Sequence, residues 1–319
     1  MKNIAVLTSG GDAPGMNAAV RAVVRKSIFH GLNVFGIKRG FQGLINHEIV
    51  PMKLGSVADT IHRGGTILLT ARSPEFLTAE GQAKAIAFLQ DQKIEGLVVI
   101  GGDGSFRGAK VLHDAGIMTV GVPATIDNDI AFTDHCIGFD TALNTVTDAI
   151  NKLRDTATSH ERIYVIEVMG RDSGNIALHA GLAGGAESII VPEAPFDLTE
   201  VCNRLQHGVE RGKLHSVILV AEGAGSAIHI GDEIKRIMQL DIRVTILGHL
   251  QRGGTPTAFD RILASRLAAK GVDLLMEEKS GMMAGYYKGE IKATSFEDVF
   301  NNNQEFNWED YKLAAILAI

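Results

Sequence analysis

The 319-residue sequence is poor in cysteine and in aromatic residues, with two Cys, one Trp and an aromatic content of 6%. Cys136 and Cys202 are too few and too far apart for a zinc cluster or for the disulfide framework of a small secreted protein. No run approaches the roughly 20 apolar residues of a membrane span, and the first apolar stretch, Ile4 to Leu7, is shorter than a signal-peptide core. We therefore expect a cytoplasmic protein without a membrane segment.

The sequence also lacks an excess of positive charge, since 31 basic and 37 acidic side chains give a net charge of −6. A nucleic-acid-binding surface is usually basic, because it must neutralise phosphates. We therefore expect no nucleic-acid partner, and any anionic ligand must be bound by a local cluster of basic residues.

Short apolar runs and helical patterns alternate along the chain, and 36 residues are glycine. This alternation predicts an α/β fold with two Rossmann-like lobes, each a mainly parallel sheet sandwiched by helices. We expect the seam between the lobes near 135–140 and a hairpin at 282–293, with its turn at Lys288 and Gly289. The predicted core strands begin at residues 4, 33, 96, 119, 163, 188, 216 and 243. The main predicted helices are 17–30, 82–92, 141–155, 198–211 and 258–278.

Ligands of doubly wound folds gather where the strands end, and four predicted strand ends combine glycine or turn residues with charge. They read "TSGGDAPGMN", "GGDGS", "PATIDND" and "MGRDSG". In "GGDGS", glycines let backbone amides approach a phosphate, and Asp103 offers an oxygen to Mg²⁺. The alternative is a tight turn. No Walker motif occurs in the chain.

Two carboxylates, Asp127 and Asp129, follow the predicted strand at 119–122. In an extended segment they point to one face and repel each other unless a cation or a proton lies between them. A metal that bridges phosphates, beside a hydroxyl that must lose its proton, meets that demand. The alternative is an Asx turn that caps a helix.

Several long motifs, in order, resemble those of bacterial ATP-dependent 6-phosphofructokinases over almost the whole chain: "TSGGDAPGMNAAVRAVVR", "GGDGS", "TIDNDI", "GFDTALNT", "MGR", "AEG" and "LGHLQRGG". This resemblance implies transfer of the γ-phosphoryl group of MgATP to the 1-hydroxyl of fructose 6-phosphate, the committed step of glycolysis. It also implies a large ATP-binding domain, 1–138 plus 252–304, and a small fructose 6-phosphate-binding domain, 139–251 plus 305–319.

The resemblance also assigns roles to residues. Asp127 is expected to be the general base, and Asp103 to hold Mg²⁺. The remaining catalytic residues are expected to be Arg171, Thr125, Asp129, Gly11 and Arg72. The ATP-binding set is Gly11, Arg72, Ser73, Gly102, Asp103, Gly104 and Ser105. The substrate-binding set is Thr125, Ile126, Asp127, Arg162, Met169, Gly170, Arg171, Glu222, Arg243, His249, Leu250, Gln251 and Arg252.

Arg162 and Arg243 are expected to come from a neighbouring subunit of a homotetramer. Read alone, these arginines could be surface residues at strand ends. An effector site for ADP, as activator, and phosphoenolpyruvate, as inhibitor, is implied at Arg21, Arg25, Asp59, Arg154, Gly185, Ala186, Glu187, Arg211, Lys213, Leu214 and His215. Arg21 and Arg25 are one helical turn apart, which favours an anion between them, although a solvated basic helix face is the alternative.

Three positions depart from the family pattern: Ala124 replaces a common glycine, Leu54 an arginine of some relatives, and Asp172 adds charge beside Arg171. A pyrophosphate-dependent relative is the nearest rival. It typically carries Asp and Lys at the positions of Gly104 and Ala124, so the small residues here favour ATP. A different kinase with a "GGDG" motif, and a metabolite sensor without catalysis, are further alternatives.

Overall fold

The computed structural model describes residues 1–318. The strands are β1 Asn3–Thr8, β2 Asn33–Ile37, β3 Ile49–Met52, β4 Gly96–Gly101, β5 Met118–Pro123, β6 Ile163–Val168, β7 Ser188–Ile190, β8 Ser216–Ala221, β9 Ile242–Ile246, β10 Met282–Tyr287 and β11 Glu290–Ser295. The helices are α1 Met16–Phe29, α2 Gly40–Ile45, α3 Ala79–Asp91, α4 Asp103–Asp114, α5 Phe139–His160, α6 Asn175–Gly184, α7 Leu198–Glu210, α8 Ala227–Met238, α9 Ala258–Met276, α10 Phe296–Asn301 and α11 Trp308–Leu317. Short 3₁₀ turns lie at Leu54–Val57, Glu75–Leu77 and Gly248–Gln251.

The strands form a seven-stranded sheet, in the order β11-β10-β5-β4-β1-β2-β3, and a four-stranded sheet, in the order β7-β8-β6-β9. All pairs of the smaller sheet are parallel, and only β3 and β11, the edge strands of the larger sheet, pair antiparallel. The prediction of an α/β fold with mainly parallel sheets is confirmed. The hairpin is also present, with Lys288 and Gly289 at positive φ in its turn.

Strand β3 was not predicted, because its sequence "IVPM" is short and contains Pro51. Proline cannot donate a ladder hydrogen bond and is tolerated on edge strands, and β3 is such a strand. Helices α2, α6, α8, α10 and α11 are not among the main predicted helices. Helix α11 begins after Asn307, whose side chain accepts a hydrogen bond from the amide of Asp310.

The chain divides into two compact units. Unit 1 comprises Met1–Ile126, Ile130–Asp140 and Gly253–Gln304, while unit 2 comprises Asp127–Asp129, Thr141–Arg252 and the segment that begins at Glu305. The division differs from the expected one by assigning Asp127–Asp129 to unit 2 and by small shifts of its borders. Residue 319, part of the expected small domain, lies outside the described residues.

Each unit buries both faces of its central strands. In unit 1, Leu7, Leu97 and Val99 belong to a core with residues of α2, α3 and α4. Alternate residues of the same strands face the opposite side, where Gly271 of α9 approaches Val98. In unit 2, the sheet packs one face against α7 and α8 in a second core. Among the described residues, no helix is both long and apolar enough to cross a membrane.

Candidate functional site

In unit 1, the loops that follow β1, β4 and β5 lie side by side, because these strands are neighbours in the sheet. The amide of Ser9 donates to Ile100 O at 3.0 Å, and the amide of Ala124 donates to Gly101 O at 3.0 Å. Residues predicted to bind the nucleotide therefore come together at the carboxyl edge of the sheet. This edge is where ligands bind in open α/β folds.

Glycine has two different uses in the loop after β4. A Cβ on Gly101 would lie 2.5 Å from Ser9 O and from Ser105 Oγ, so the close packing of the loops requires glycine. At Gly104, no heavy atom lies within 4 Å of the place where a Cβ would be. This open space, beside the first turn of α4, lets a phosphate approach backbone amides.

Asp103 begins α4 and forms an ion pair with Arg107, with 2.9 Å between Oδ2 and Nε. The described residues contain no group of three or more His, Cys, Asp or Glu side chains arranged to hold a metal. A single carboxylate nevertheless fits Mg²⁺ in a phosphotransferase, because this ion is commonly bound by one or two carboxylates together with substrate phosphates and water.

Gly11, Arg72 and Ser73 lie in exposed or partly exposed loops of unit 1. No heavy atom lies within 4 Å of the place where a Cβ on Gly11 would be. The Ser73 hydroxyl donates to Gln42 Oε1 at 2.8 Å, which fixes the loop that carries Arg72. Thr70 Oγ1 ties the same loop to the carbonyl of Gly10 at 2.6 Å.

In unit 2, the segment Met169–Gly174, which we call the arginine loop, connects β6 to α6. Gly170 has φ 135°, and Arg171 has φ 52°, a left-handed conformation that is uncommon for a residue with a side chain. A Cβ on Gly223, which follows β8, would lie 2.0 Å from Arg171 O. The arginine loop therefore needs glycine both within it and beside it.

Asp127 is buried, and its Oδ2 lies 3.4 Å from Nε of Arg171. Asp129 is exposed, and Asn128 between the two acids has φ 51°. The expectation of an extended segment with both carboxylates on one face is therefore wrong, because the left-handed residue turns the chain. Asp127 and Arg171, which are far apart in sequence, are brought together, while the environments of Asp127 and Asp129 differ.

Side chains of predicted substrate-binding residues hold the arginine loop. Glu222 Oε1 accepts from the amide of Arg171 at 2.8 Å, and Gln251 Oε1 accepts from the amide of Met169 at 3.1 Å. Gln251 is fully buried, whereas the neighbouring Leu250 is 77% exposed. His249 is exposed and Arg252 partly exposed, at the 3₁₀ turn that follows β9.

Arg162 and Arg243 lie near the amino ends of β6 and β9, whereas the arginine loop lies at the carboxyl end of β6. Arg162 precedes β6, and Arg243 pairs in register with Tyr164. Six residues of β6 separate Arg162 from the arginine loop, a distance of about 20 Å at roughly 3.3 Å per residue. Within one unit 2, these two arginines are therefore far from Arg171.

Asp241 joins these two arginines. Its Oδ2 lies 2.7 Å from Arg162 Nε and 3.2 Å from Arg243 Nη2. Desolvation raises the pKa of Asp241, but the hydrogen bonds and positive charges of the two arginines outweigh it and leave the pKa below the usual range. The arrangement keeps two guanidinium groups close together despite their repulsion.

The expected effector residues of unit 2 cluster around the end of α6 and the start of β8. Arg154 Nη2 donates to the carbonyls of Gly184 and Gly185, and Lys213 forms an ion pair with Glu187. His215 Nδ1 lies 3.2 Å from the hydroxyl of Thr158. Ala186 is buried, Leu214 is exposed, and Arg211 donates to the carbonyl of His207.

The expected effector residues of unit 1 are Arg21 and Arg25, on α1, and Asp59, which has φ 52°. Helix α1 places Arg21 and Arg25 one turn apart, as the sequence predicted. Arg25 is exposed, while the adjacent Lys26 forms an ion pair with Asp273 at 2.6 Å.

The three departures from the family pattern have distinct surroundings. Ala124 is 1% exposed and is not among the residues at positive φ, so its methyl group fits without backbone strain. Leu54 is 52% exposed and offers no charge to an anion. Asp172 is exposed, and the ion pair of Arg171 is with Asp127.

Sequence reasoning missed two residues that hold the loops of unit 2: Asn175 and Glu193. Asn175 Nδ2 donates to the carbonyl of Asn128 at 2.8 Å, and Glu193 Oε1 accepts from the amide of Gly174 at 2.8 Å. Their partners are backbone atoms distant in sequence, so no local pattern marks them.

Comparisons with known proteins agree with this fold. A model of the phosphofructokinase family matches residues 3–275. An ATP-dependent 6-phosphofructokinase of Shouchella clausii is 60% identical over 319 residues, with both chains fully covered. A solved phosphofructokinase from Pichia pastoris superimposes with a TM-score of 0.90 at 35% identity, over 94% of this chain and 37% of that one. A solved pyrophosphate-dependent phosphofructokinase from Marinobacter aquaeolei shares the fold alone, with a TM-score of 0.86 at 23% identity over 97% of this chain and 86% of that one. The sequence motifs, the two mainly parallel sheets and the full-length similarity together show that this chain belongs to the phosphofructokinase family.

Proposed function

We propose that this enzyme transfers the γ-phosphoryl group of ATP to the 1-hydroxyl of fructose 6-phosphate and releases fructose 1,6-bisphosphate and ADP. The observation that carries the proposal is the ion pair between the buried Asp127 and Arg171. A buried carboxylate beside a cation suits the removal of a proton from a hydroxyl during phosphoryl transfer.

Asp127 accepts the proton of the 1-hydroxyl as the oxygen attacks the γ-phosphorus. Arg171 and Thr125 interact with the phosphoryl group during its transfer. The guanidinium of Arg171 stabilises the negative charge that develops on the phosphoryl oxygens. Arg171 Nε lies 3.4 Å from Asp127 Oδ2, so the guanidinium stands beside the base where the hydroxyl is deprotonated. Asp129 adds negative charge nearby.

The loops of unit 1 bind the nucleotide. Gly11, Gly102, Gly104 and Ser105 present backbone to the phosphates, and Arg72 with Ser73 completes this set. Asp103 would hold Mg²⁺, which would supply positive charge that neutralises the phosphates. Arg107 is the ion-pair partner of the same carboxylate.

The sugar phosphate binds to unit 2 through Met169, Gly170, Glu222, His249 and Arg252. We assign Arg162 and Arg243 of one subunit to the sugar site of another. Their place near the amino ends of β6 and β9 supports this assignment, because one unit 2 cannot bring them to its own arginine loop. The enzyme is then active as an oligomer, which we propose is a homotetramer.

A subunit-mixing experiment tests this arrangement. Asp127→Ser and Arg162→Ala are each expected to abolish most activity. Hybrids made by dissociating and reassociating the two variants should regain part of it, because some sites combine an intact Asp127 with an intact Arg162. If the mixture stays as inactive as its components, the arginine serves its own subunit.

ATP, and not pyrophosphate, is proposed as the phosphoryl donor. The open space at Gly104 and the small, buried Ala124 leave room for a nucleotide. The full-length relative at 60% identity is named as ATP-dependent, whereas the pyrophosphate-dependent structure shares the fold alone. An assay of the purified enzyme with fructose 6-phosphate and either donor tests the choice. Turnover with pyrophosphate alone would contradict it.

We further propose that the basic residues of α1 and the cluster around Glu187 bind anionic effectors, ADP as activator and phosphoenolpyruvate as inhibitor. Like charges one turn apart on α1 support an anion-binding role. Binding of either effector then biases two quaternary states that differ in affinity for fructose 6-phosphate.

A further inference from the structure

The arginine loop is held by side chains at three of its backbone amides. Gln251 accepts from Met169, Glu222 from Arg171, and Glu193 from Gly174. Only the first two of these acceptors belong to the residues assigned to the substrate. Glu193 lies beyond β7, and a Cβ on Gly174 would lie 2.5 Å from its Oε2, so the carboxylate packs directly on the end of the loop.

Asn175, the first residue of α6, joins this loop to the acidic segment Asp127–Asp129. Its Nδ2 donates to the carbonyl of Asn128 at 2.8 Å. Asn175 is 6% exposed and Asn128 is 4% exposed, so the hydrogen bond is shielded from water. The donor residue, Asn175, is four residues after Arg171, and the acceptor residue, Asn128, directly follows Asp127. The hydrogen bond therefore links the segment that carries Arg171 to the segment that carries Asp127.

Both segments contain a residue in the left-handed conformation. Asn128 has φ 51° and Arg171 has φ 52°. Asparagine adopts this conformation readily, whereas for arginine it is costly and persists where neighbouring contacts impose it. The hydrogen bonds made by Asn175 and Glu193 hold these two turns, one on each segment.

We propose that Asn175 is a positioning residue for phosphoryl transfer, which fixes Asp127 relative to Arg171 through the carbonyl of Asn128, and that Glu193 anchors the arginine loop for the same purpose. Neither residue belongs to the sets assigned to ATP or to the sugar phosphate. This inference rests on the proposed function, because it assigns these residues to the geometry of that reaction. A displacement of about 1 Å in a reacting group can reduce a rate about 100-fold.

The first test is Asn175→Ala. We expect kcat to fall about 10- to 100-fold, while KM for ATP and for fructose 6-phosphate changes less than about threefold, because geometry and not binding is lost. In the Arg171→Ala background the same substitution should lower kcat by less than about threefold, since the pair that Asn175 aligns is already broken. A kcat within twofold of the wild type, or equal effects in both backgrounds, would overturn the proposal.

A second pair of variants covers the case in which Asn175→Ala does not fold. Glu193→Gln keeps an oxygen that accepts from Gly174 and should retain kcat, whereas Glu193→Ala should lose about 10-fold. Asn307→Ala is the matched control, since it removes a helix cap of unit 2 and should leave kcat unchanged. Equal kcat values for the two Glu193 variants would overturn the role of that residue. An inactive wild type would instead refute the proposed function.

Discussion

The loops of unit 1 and unit 2 are built in different ways. In unit 1, the glycine-rich loops after β1 and β4 rely on the absence of side chains, and the space at Gly11 and Gly104 is open. In unit 2, the arginine loop and the acidic segment are held by side chains from distant parts of the chain, such as Glu193 and Asn175. The comparison teaches that one region is shaped for backbone to approach a ligand, and the other to fix two charged side chains.

The largest effect is expected at the carboxylate of unit 2. Asp127→Ser should lower kcat by about 10²–10⁴-fold, since it removes the general base, while both substrates still bind. Asp129→Ser is the matched control, because Asp129 is exposed and Asp127 is buried. We expect a smaller loss for Asp129→Ser in steady-state assays. Near-normal turnover of Asp127→Ser would refute its role as base.

Substituting a glycine in each unit sharpens the comparison. At Gly223 a Cβ would lie 2.0 Å from Arg171 O, so Gly223→Ala should displace the arginine loop, lower kcat about 10-fold and cost about 1–3 kcal/mol of stability. At Gly102 the nearest atom would be Thr125 Cβ at 3.9 Å. Gly102→Ala should therefore keep its stability and raise KM for ATP. Thermal unfolding and steady-state kinetics measure both. If both variants showed the same change in kcat and in KM for ATP, the two loops would not differ in the way described.

The basic residues offer a third contrast. Lys213 of unit 2 has Glu187 as its ion-pair partner, whereas Arg25 of unit 1 is exposed one turn from Arg21. Arg25→Ala should weaken the response to ADP and to phosphoenolpyruvate about 10-fold, within the range of typical coupling energies. Lys26→Ala, which breaks the ion pair with Asp273, is the control and should leave the response intact. Unchanged titrations for Arg25→Ala would exclude it from an effector site.

The smallest effect concerns Tyr311, whose hydroxyl donates to Ile189 O at 3.3 Å in unit 2. Burial raises the pKa of Tyr311, and the charge of Glu193 raises it further against the opposing charge of Arg204. Because the folded pKa exceeds the unfolded one, the associated stability is present below about pH 10 and is lost as the pH rises through the folded pKa. Tyr311→Phe should lower the free energy of unfolding by about 1 kcal/mol at neutral pH. As the pH rises, the variant should lose less stability than the wild type. Parallel Tm profiles between pH 8 and pH 11 would contradict this.

Local patterns predicted much of the fold and some of the loops. Apolar runs of four to six residues, separated by helical patterns, indicated the core strands and parallel sheets. Glycine clusters at strand ends marked the loops after β1 and β4. The same reasoning failed at Asn128, which it placed in an extended segment although asparagine readily adopts the left-handed conformation that it has here. It also missed the edge strand β3, because Pro51 is a residue that sequence patterns associate with turns and not with strands.

The sequence by itself determined the fold class, the family and the identity of the charged residues, because periodicity and motif order are properties of neighbouring positions. Only the tertiary structure decided that Asp127 is buried against Arg171 while Asp129 is exposed, and that Arg162 and Arg243 lie near the amino ends of β6 and β9. The physical reason is that these facts depend on contacts between segments far apart in the sequence: the side-chain ion pair of Asp127 with Arg171, and the pairing of β6 with β9 through backbone hydrogen bonds. Every residue has backbone donors and acceptors, so the letters of a sequence do not show which segments pair.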